Sequence, residues 1–203
     1  MARLYPDTVQ RLIAEFNRLP GIGARSAERL AFHVLTSSRE DARALAQAVL
    51  EVKQAIRACP HCFHVTDTGD VCHICADETR DRRTICVVEL PRDVIAIEKC
   101  GIYQGVYHVL QGHLNPVAGV NPEHLRIDEL LARLETEAPR EVILALNPTT
   151  EGDATTQYLA EELRAAAPGL KITNLARGLA SGVDIETAAL SSLMAAVRGR
   201  IEF

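Results

Sequence analysis

Residues 59–75 read Cys59-Pro60-His61-Cys62-Phe63-His64-Val65-Thr66-Asp67-Thr68-Gly69-Asp70-Val71-Cys72-His73-Ile74-Cys75, two Cys-x-x-Cys pairs separated by nine residues. Thiolates two residues apart, in two such pairs, are the ligand set that one tetrahedral Zn²⁺ requires. Asp67, Gly69 and Asp70 suit a compact turn between the pairs, so the spacing predicts a small zinc finger. Four thiolates close the coordination shell and leave no open position for substrate, which makes the site structural rather than catalytic. Two disulfides are the competing arrangement. His61, His64 and His73 stand beside the cysteines as substitute ligands, although the four sulfurs already complete a set. Cys86 and Cys100 read as ordinary small apolar residues, one in a strand and one at a helix end.

Redox context favours the metal. Met1 to Pro20 holds no continuous apolar stretch of the signal-peptide kind, and no window approaches the roughly 20 apolar residues of a membrane span. The reading is a cytoplasmic protein, associated with the nucleoid if it meets DNA, with no membrane partner. The chain has 203 residues, 47% of them hydrophobic, enough to bury a real core in one large domain or two small ones. Net charge is −5, which argues against a protein that simply coats nucleic acid. The charge is uneven, however. Residues 1–58 carry nine Lys and Arg against six Asp and Glu, while the remainder carries thirteen against twenty-one. Any contact with polyanions is therefore expected from the N-terminal segment.

That segment is predicted to be helical. Val9, Leu12, Ile13, Phe16 and Leu19 recur at helical spacing behind Pro6 and Asp7, and Pro20-Gly21 ends the helix at about Arg18. Gly21-Ile22-Gly23 forms a turn, and a second helix resumes from Ser26 to Leu35 with Ala27, Leu30, Ala31 and Val34 facing inward. This is a helix-hairpin-helix pattern. A glycine turn at a helix N-terminus lets backbone N–H groups approach a phosphate, and Arg25 and Arg29 sit where cations would assist. Such contacts read the backbone rather than the bases, so binding is expected to be salt-sensitive and nearly indifferent to sequence. A plain glycine loop between two packed helices is the alternative. Ser38 with Asp41 resembles a capping box, and a third helix containing Ala42, Leu45, Ala46, Val49 and Val52 is expected to reach Cys59-Pro60.

Beyond the cysteines, strands and helices alternate. Ile85-Cys86-Val87-Val88 is a buried-strand run. A helix is expected at Asp93–Lys99, a strand at Val106–Leu110, a helix around Leu130, Leu131 and Leu134, and a strand at Val142–Leu146. A helix at Ala154–Ala166, a strand at Lys171–Leu175 and a closing helix at Ile185–Val197 follow. The alternation predicts an α/β architecture with a mostly parallel sheet covered by helices on both faces. Glu89 then falls at the carboxyl end of the first strand, and Glu151 and Asp153 follow the third, at the edge where ligands meet such sheets. Three acids there could hold Mg²⁺. They could equally be solvated loop acids, with Asp153 capping the next helix.

The order Leu19-Pro20-Gly21-Ile22-Gly23, Cys59 to Cys75, Ile85-Cys86-Val87-Val88-Glu89 and Asn147-Pro148-Thr149-Thr150-Glu151-Gly152-Asp153-Ala154-Thr155 resembles the bacterial RecR family of recombination mediators. Tyr107-His108-Val109-Leu110 and Gly119-Val120-Asn121-Pro122 fill the middle in the same way. The resemblance implies four parts: a helix-hairpin-helix region (1–58), a four-cysteine zinc finger (59–76), a Toprim domain (82–178) holding Glu89, Glu151 and Asp153, and a Walker-B-like C-terminal segment and helix (179–203). It also implies a non-enzymatic DNA-binding factor of recombinational repair, binding single- and double-stranded DNA. Such a factor forms dimeric or tetrameric rings and acts with RecO and RecF to load recombinase on gapped DNA. A Mg²⁺-dependent nuclease or a primase-like phosphotransferase is the enzymatic alternative, and a scaffold that touches only protein is a third. The C-terminus departs from the family pattern: Gly178-Leu179-Ala180-Ser181-Gly182-Val183-Asp184-Ile185-Glu186 lacks the usual acids and tyrosine beyond it. Asn174 replaces a usual arginine, and Leu90 an acid.

Overall fold

A computed structural model describes residues 5–67, 69 and 71–201, so that Asp70, expected in the turn of the finger, lies outside the described residues. Contacts divide the chain into two units, Met1–Ile56 and Arg57–Phe203. In the first unit, helices α1 (Asp7–Asn17) and α2 (Ala24–Thr36) pack on one another. Ala27 and Ala31 are fully buried on α2, the small residues that let the two backbones come close. Gly21 joins the helices at φ +79°, a left-handed conformation that a side chain resists. Helix α3 (Arg39–Ala55) is capped by Ser38, whose Oγ accepts the Asp41 N–H at 3.0 Å. It buries no residue: Leu45, Val49 and Val52 are all exposed. It also stops short of Cys59, because Arg57–Ala58 leaves the helix to form strand β1, which pairs antiparallel with β2 (Val65–Thr66). The cysteine segment thus begins with a strand of its own, and the division between units falls two residues before the expected 58.

In the second unit a short helix α4 (His73–Ala76) completes the finger. Then follow β3 (Asp81–Val88), α5 (Pro91–Glu98), β4 (Gly105–Val109), α6 (Ile127–Glu137), β5 (Glu141–Leu144), α7 (Thr150–Ala166), β6 (Lys171–Asn174) and α8 (Leu190–Arg198). The four longer strands form a wholly parallel sheet in the order β4-β3-β5-β6. Alternation along β3 builds both layers of the core. Ile85 and Val87 join Leu130, Leu134, Leu159 and Leu163 on the face covered by α6 and α7. Cys86 and Val88 join Val94 of α5, together with all four finger cysteines and Ile74, on the other. The finger is therefore one of the covering layers of the sheet, not an appendage to it. Gly105 is needed where β4 begins, since a Cβ there would lie 2.5 Å from the Thr84 carbonyl oxygen and closer still to the Tyr103 hydroxyl.

Two helix starts move by four residues or more. Helix α7 starts at Thr150 rather than Ala154, because Thr149 supplies the cap by accepting the Gly152 N–H at 3.0 Å. The closing helix starts at Leu190 rather than Ile185. Gly182 at φ +81° and turns closed by Val183 N–H to Ala180 and Thr187 N–H to Asp184 occupy the preceding stretch.

A buried polar network ties α6 to β4. His108 is fully buried; its Nε2 lies 2.6 Å from the Arg126 carbonyl, and its Nδ1 lies 3.3 Å from a guanidinium nitrogen of Arg133. Arg133 also donates to the Tyr107 carbonyl at 2.7 Å and pairs with Glu137. Burial, with the adjacent Arg133 charge, pushes the His108 pKa down to about 3. The ring is consequently neutral in the fold, with its Nε2–H donating to Arg126 and Nδ1 accepting from Arg133. The unfolded chain takes up this proton near pH 6.5, whereas the folded one does so only near 3. Stability should therefore be full above about pH 6.5 and fall as the pH drops toward 3. Urea unfolding across that range should show this slope in the wild type, and a shallower one in His108→Gln, which cannot titrate.

Candidate functional site

The cysteine cluster is assembled by two tight turns. Phe63 N–H donates to the Cys59 carbonyl at 2.9 Å and Ala76 N–H to that of Cys72 at 2.9 Å, which folds each Cys-x-x-Cys pair back on itself. Phe63 takes φ +63°, a conformation costing a non-glycine residue about 1–2 kcal/mol, and the surrounding bonds hold it there. The four Sγ atoms lie within 4.8 Å of one another, all in buried residues. Cys62 and Cys72 sulfurs are 3.5 Å apart and no cysteine is in a disulfide. A disulfide needs about 2.05 Å, while sulfurs around a tetrahedral zinc at about 2.3 Å stand about 3.8 Å apart. The donor set fits zinc, and the four cysteines form a zinc site. Hydrogen bonding between the two sulfurs pushes the Cys62 thiol pKa up and that of Cys72 down. A divalent ion lets all the thiolates ionise together. The neighbouring histidines lie outside this ligand group.

The finger is fastened to the sheet at the edge strand β4, at the loop that follows it and at β3. Val109 N–H donates to the Cys62 carbonyl at 2.8 Å, Gln111 Nε2 to the Phe63 carbonyl at 2.6 Å, and Arg82 to the Cys75 carbonyl at 2.9 Å. Phe63 packs edge-to-face on His108 at 5.4 Å, with the Arg126 guanidinium 5.0 Å from its ring centre.

At the carboxyl edge of the sheet, Glu89 is nearly fully buried. Its carboxyl accepts the Asn147 N–H and the Asn147 side-chain amide, both at 2.8 Å, and lies 3.1 Å from His113 Nδ1. Thr155, also fully buried, accepts the Leu114 N–H at 2.9 Å and donates to the Glu151 carbonyl at 2.7 Å. Gly152 lets this end close, since a Cβ there would lie 2.0 Å from the Asn147 carbonyl oxygen. Asp153 is drawn elsewhere: it pairs with Arg177, which holds its carboxyl below the usual range. Glu151 and Asp153 both sit in the first turn of α7, where negative charge suits the helix dipole. Asp153 is not the cap. Of the two arrangements open to Glu89, Glu151 and Asp153, the side chains stand apart: among the described residues, no three carboxylates bring their oxygens together as the cysteines do their sulfurs. The reason is that Asn147 and His113 occupy Glu89 while Arg177 turns Asp153 outward. Asn147, His113 and Thr155 were not assigned roles from the sequence, because polar residues after strands carry no periodic signal.

In the first unit, Gly21, Ile22 and Gly23 lead into α2, whose N-cap Gly23 has no side chain to satisfy the first helical N–H groups. A Cβ on either glycine would meet nothing within 4 Å. Arg25 and Arg29 are exposed on the first turns of α2 and make no ion pair or hydrogen bond among the described residues.

Family models match three successive segments: the RecR helix-hairpin-helix at residues 9–53, the RecR four-cysteine zinc finger domain at 56–77 and the Toprim domain at 83–176. Proteins named recombination protein RecR are similar over almost their whole length. That of Herpetosiphon aurantiacus is 50% identical over 97% of this chain and 95% of its own. That of Rubrobacter xylanophilus is 50% identical over 98% of both chains. The protein from Bifidobacterium longum subsp. infantis is 50% identical over 100% of both.

For the metal centre, removal with a strong chelator should raise hydrogen exchange across residues 59–75 and at the Val109 amide, while the amides of Val87 and Val88 stay protected. Unchanged exchange in the finger after metal loss would contradict this assignment.

Proposed function

Because the chain belongs to the RecR family of recombination proteins, we propose that it binds DNA through its helix-hairpin-helix unit as a non-enzymatic accessory factor of recombinational repair. The observation that carries the reading is a pair of arginines, Arg25 and Arg29, without partners among the described residues and beside an uncapped helix start. Backbone N–H groups and two available guanidiniums at one place are the chemistry of phosphate contact, without any means of reading base edges in a duplex. Binding is accordingly to single- and double-stranded DNA with little sequence preference. It occurs in the cytoplasm at the nucleoid; none of the described helices is long and apolar enough to cross a membrane.

On this reading the protein works as a homo-oligomer, a dimer or tetramer closing a ring on DNA. The exposed apolar stripe of Leu45, Val49 and Val52 on α3 supports an assembly, since such a stripe is costly to leave in water. RecO and RecF are its partners, and the assembly loads recombinase on gapped strands. The acids of the Toprim region act in architecture and partner contact. Mg²⁺ chemistry by Glu89, Glu151 and Asp153, the nuclease or phosphotransferase alternative, has less support, because Glu89 and Asp153 already serve other groups.

Replacing both arginines, Arg25→Ala with Arg29→Ala, should weaken binding to every DNA sequence alike and lower the slope of log K against log salt by about 1–2. An unchanged slope in a fluorescence titration at several salt concentrations would reject the hairpin as the contact. Incubation with nicked and single-stranded DNA plus Mg²⁺ or Mn²⁺ should leave the DNA intact; cleavage that disappears in Glu89→Gln would establish the enzymatic alternative instead.

A further inference from the structure

Beside the glycine hairpin, Tyr5, Arg25, Ser26, Glu28, Arg29 and Phe32 line an open cleft of about 640 Å³. That volume falls within the roughly 300–1,000 Å³ of sites for small organic groups. Arg25, Glu28, Arg29 and Phe32 follow one another at helical spacing, so α2 presents them on one face. Phe32 is 38% exposed, unusual for a phenylalanine whose neighbour Ala31 is fully buried. It is held in place from one side: the Tyr5 ring packs on it edge-to-face at 5.4 Å, inclined at 70°. The Tyr5 hydroxyl donates to Glu28 Oε1, so that one residue orients both the aromatic surface and the carboxyl.

A phosphate backbone needs neither of those groups. An aromatic ring offers it nothing, and a carboxyl repels it. A nucleobase uses both, since its face stacks on an aromatic ring and its edge N–H groups can donate to a carboxyl oxygen. In a duplex those faces and edges are stacked and paired. We propose that this cleft takes one unpaired base of a single strand. The base stacks against Phe32 with its edge toward Glu28, while Arg25 and Arg29 hold the flanking phosphates. The assignment rests on the hairpin unit being the DNA contact, and it adds what the arginines alone cannot supply: a preference for strand that has lost its partner. A protein so equipped grips duplex and single strand through the same cations, but gains an extra contact wherever a base is free.

The test compares Phe32→Leu, Phe32→Tyr and the double arginine variant on three probes of equal length: a single strand, the same strand with abasic sites throughout, and a duplex. Stacking of one base is worth about 1–3 kcal/mol. The wild type should therefore bind the normal strand about 5- to 150-fold more tightly than the abasic one. Phe32→Leu should remove that difference and leave duplex binding within about twofold, and Phe32→Tyr should retain it. The arginine variant should lose affinity for all three probes. Equal binding of normal and abasic strands by the wild type would overturn the cleft while leaving the hairpin reading intact. A loss in Phe32→Leu that is equal on every probe, or that accompanies a change in oligomer mass, would overturn it too, marking Phe32 as a packing or subunit contact. Duplex binding indifferent to both arginines would instead remove the hairpin reading on which the cleft depends. Far-ultraviolet circular dichroism of each variant confirms that α1 to α3 remain folded.

Discussion

The hydrogen bond from the Val109 amide to the Cys62 carbonyl joins the metal centre to the sheet, and the docking of the finger depends on it. Strand β4 is the edge of a parallel sheet, and an edge of unpaired amides is open to unwanted pairing. The finger covers that edge and, in the same act, places its four cysteines and Ile74 in the apolar layer with Cys86, Val88 and Val94. In that layer the cysteine sulfurs stand beside Tyr107 and Val109 of β4. Four thiolates crowded into one buried volume would repel one another, so the finger's part of that layer is stable as observed only with a cation at its centre. Zinc binding and the ordering of the finger against this face of the sheet are in this sense a single event.

The opposite end of the strands is arranged on a different principle. Glu89, Asn147 and Thr155 join the ends of β3 and β5, the loop after β4 and the start of α7 through short bonds among buried polar atoms. A buried carboxyl with its donors satisfied is a rigid junction, and one emptied of its partners would be costly. The same residue in the open could bind a metal; enclosed by Asn147 and His113, it organises backbone. The position of an acid after a strand therefore does not decide its chemistry. Its neighbours do.

This distinction bears on what was legible before any coordinates. Strand runs such as Ile85–Val88 were readable because a strand buried on both faces is continuously apolar, and the cysteine spacing was readable because metal geometry constrains it closely. The Gly-Ile-Gly turn was readable from conformational freedom alone. What escaped was set by tertiary contact. The early start of α7 lies in Thr149, Thr150 and Glu151, where capping and not hydrophobic period carries the signal. The failure of Ile185 to begin a helix follows from a glycine turn at Gly182 that an apolar pattern overrides on paper but not in the chain. That the finger would form a layer of the sheet has no local signature at all, since Cys62 and Val109 are brought together only by the fold. The Tyr5, Glu28 and Phe32 constellation was missed for the same reason: Tyr5 stands before the first helix, and its partners appear on the second.

Metal content and metal environment, measured together on the intact protein, test the central claim most directly. One zinc per chain is expected, with an X-ray absorption spectrum showing a shell of four sulfurs at about 2.3 Å and no nitrogen or oxygen ligand. A finger that is ordered and free of metal, or zinc held by a mixed shell including histidine or water, would contradict it.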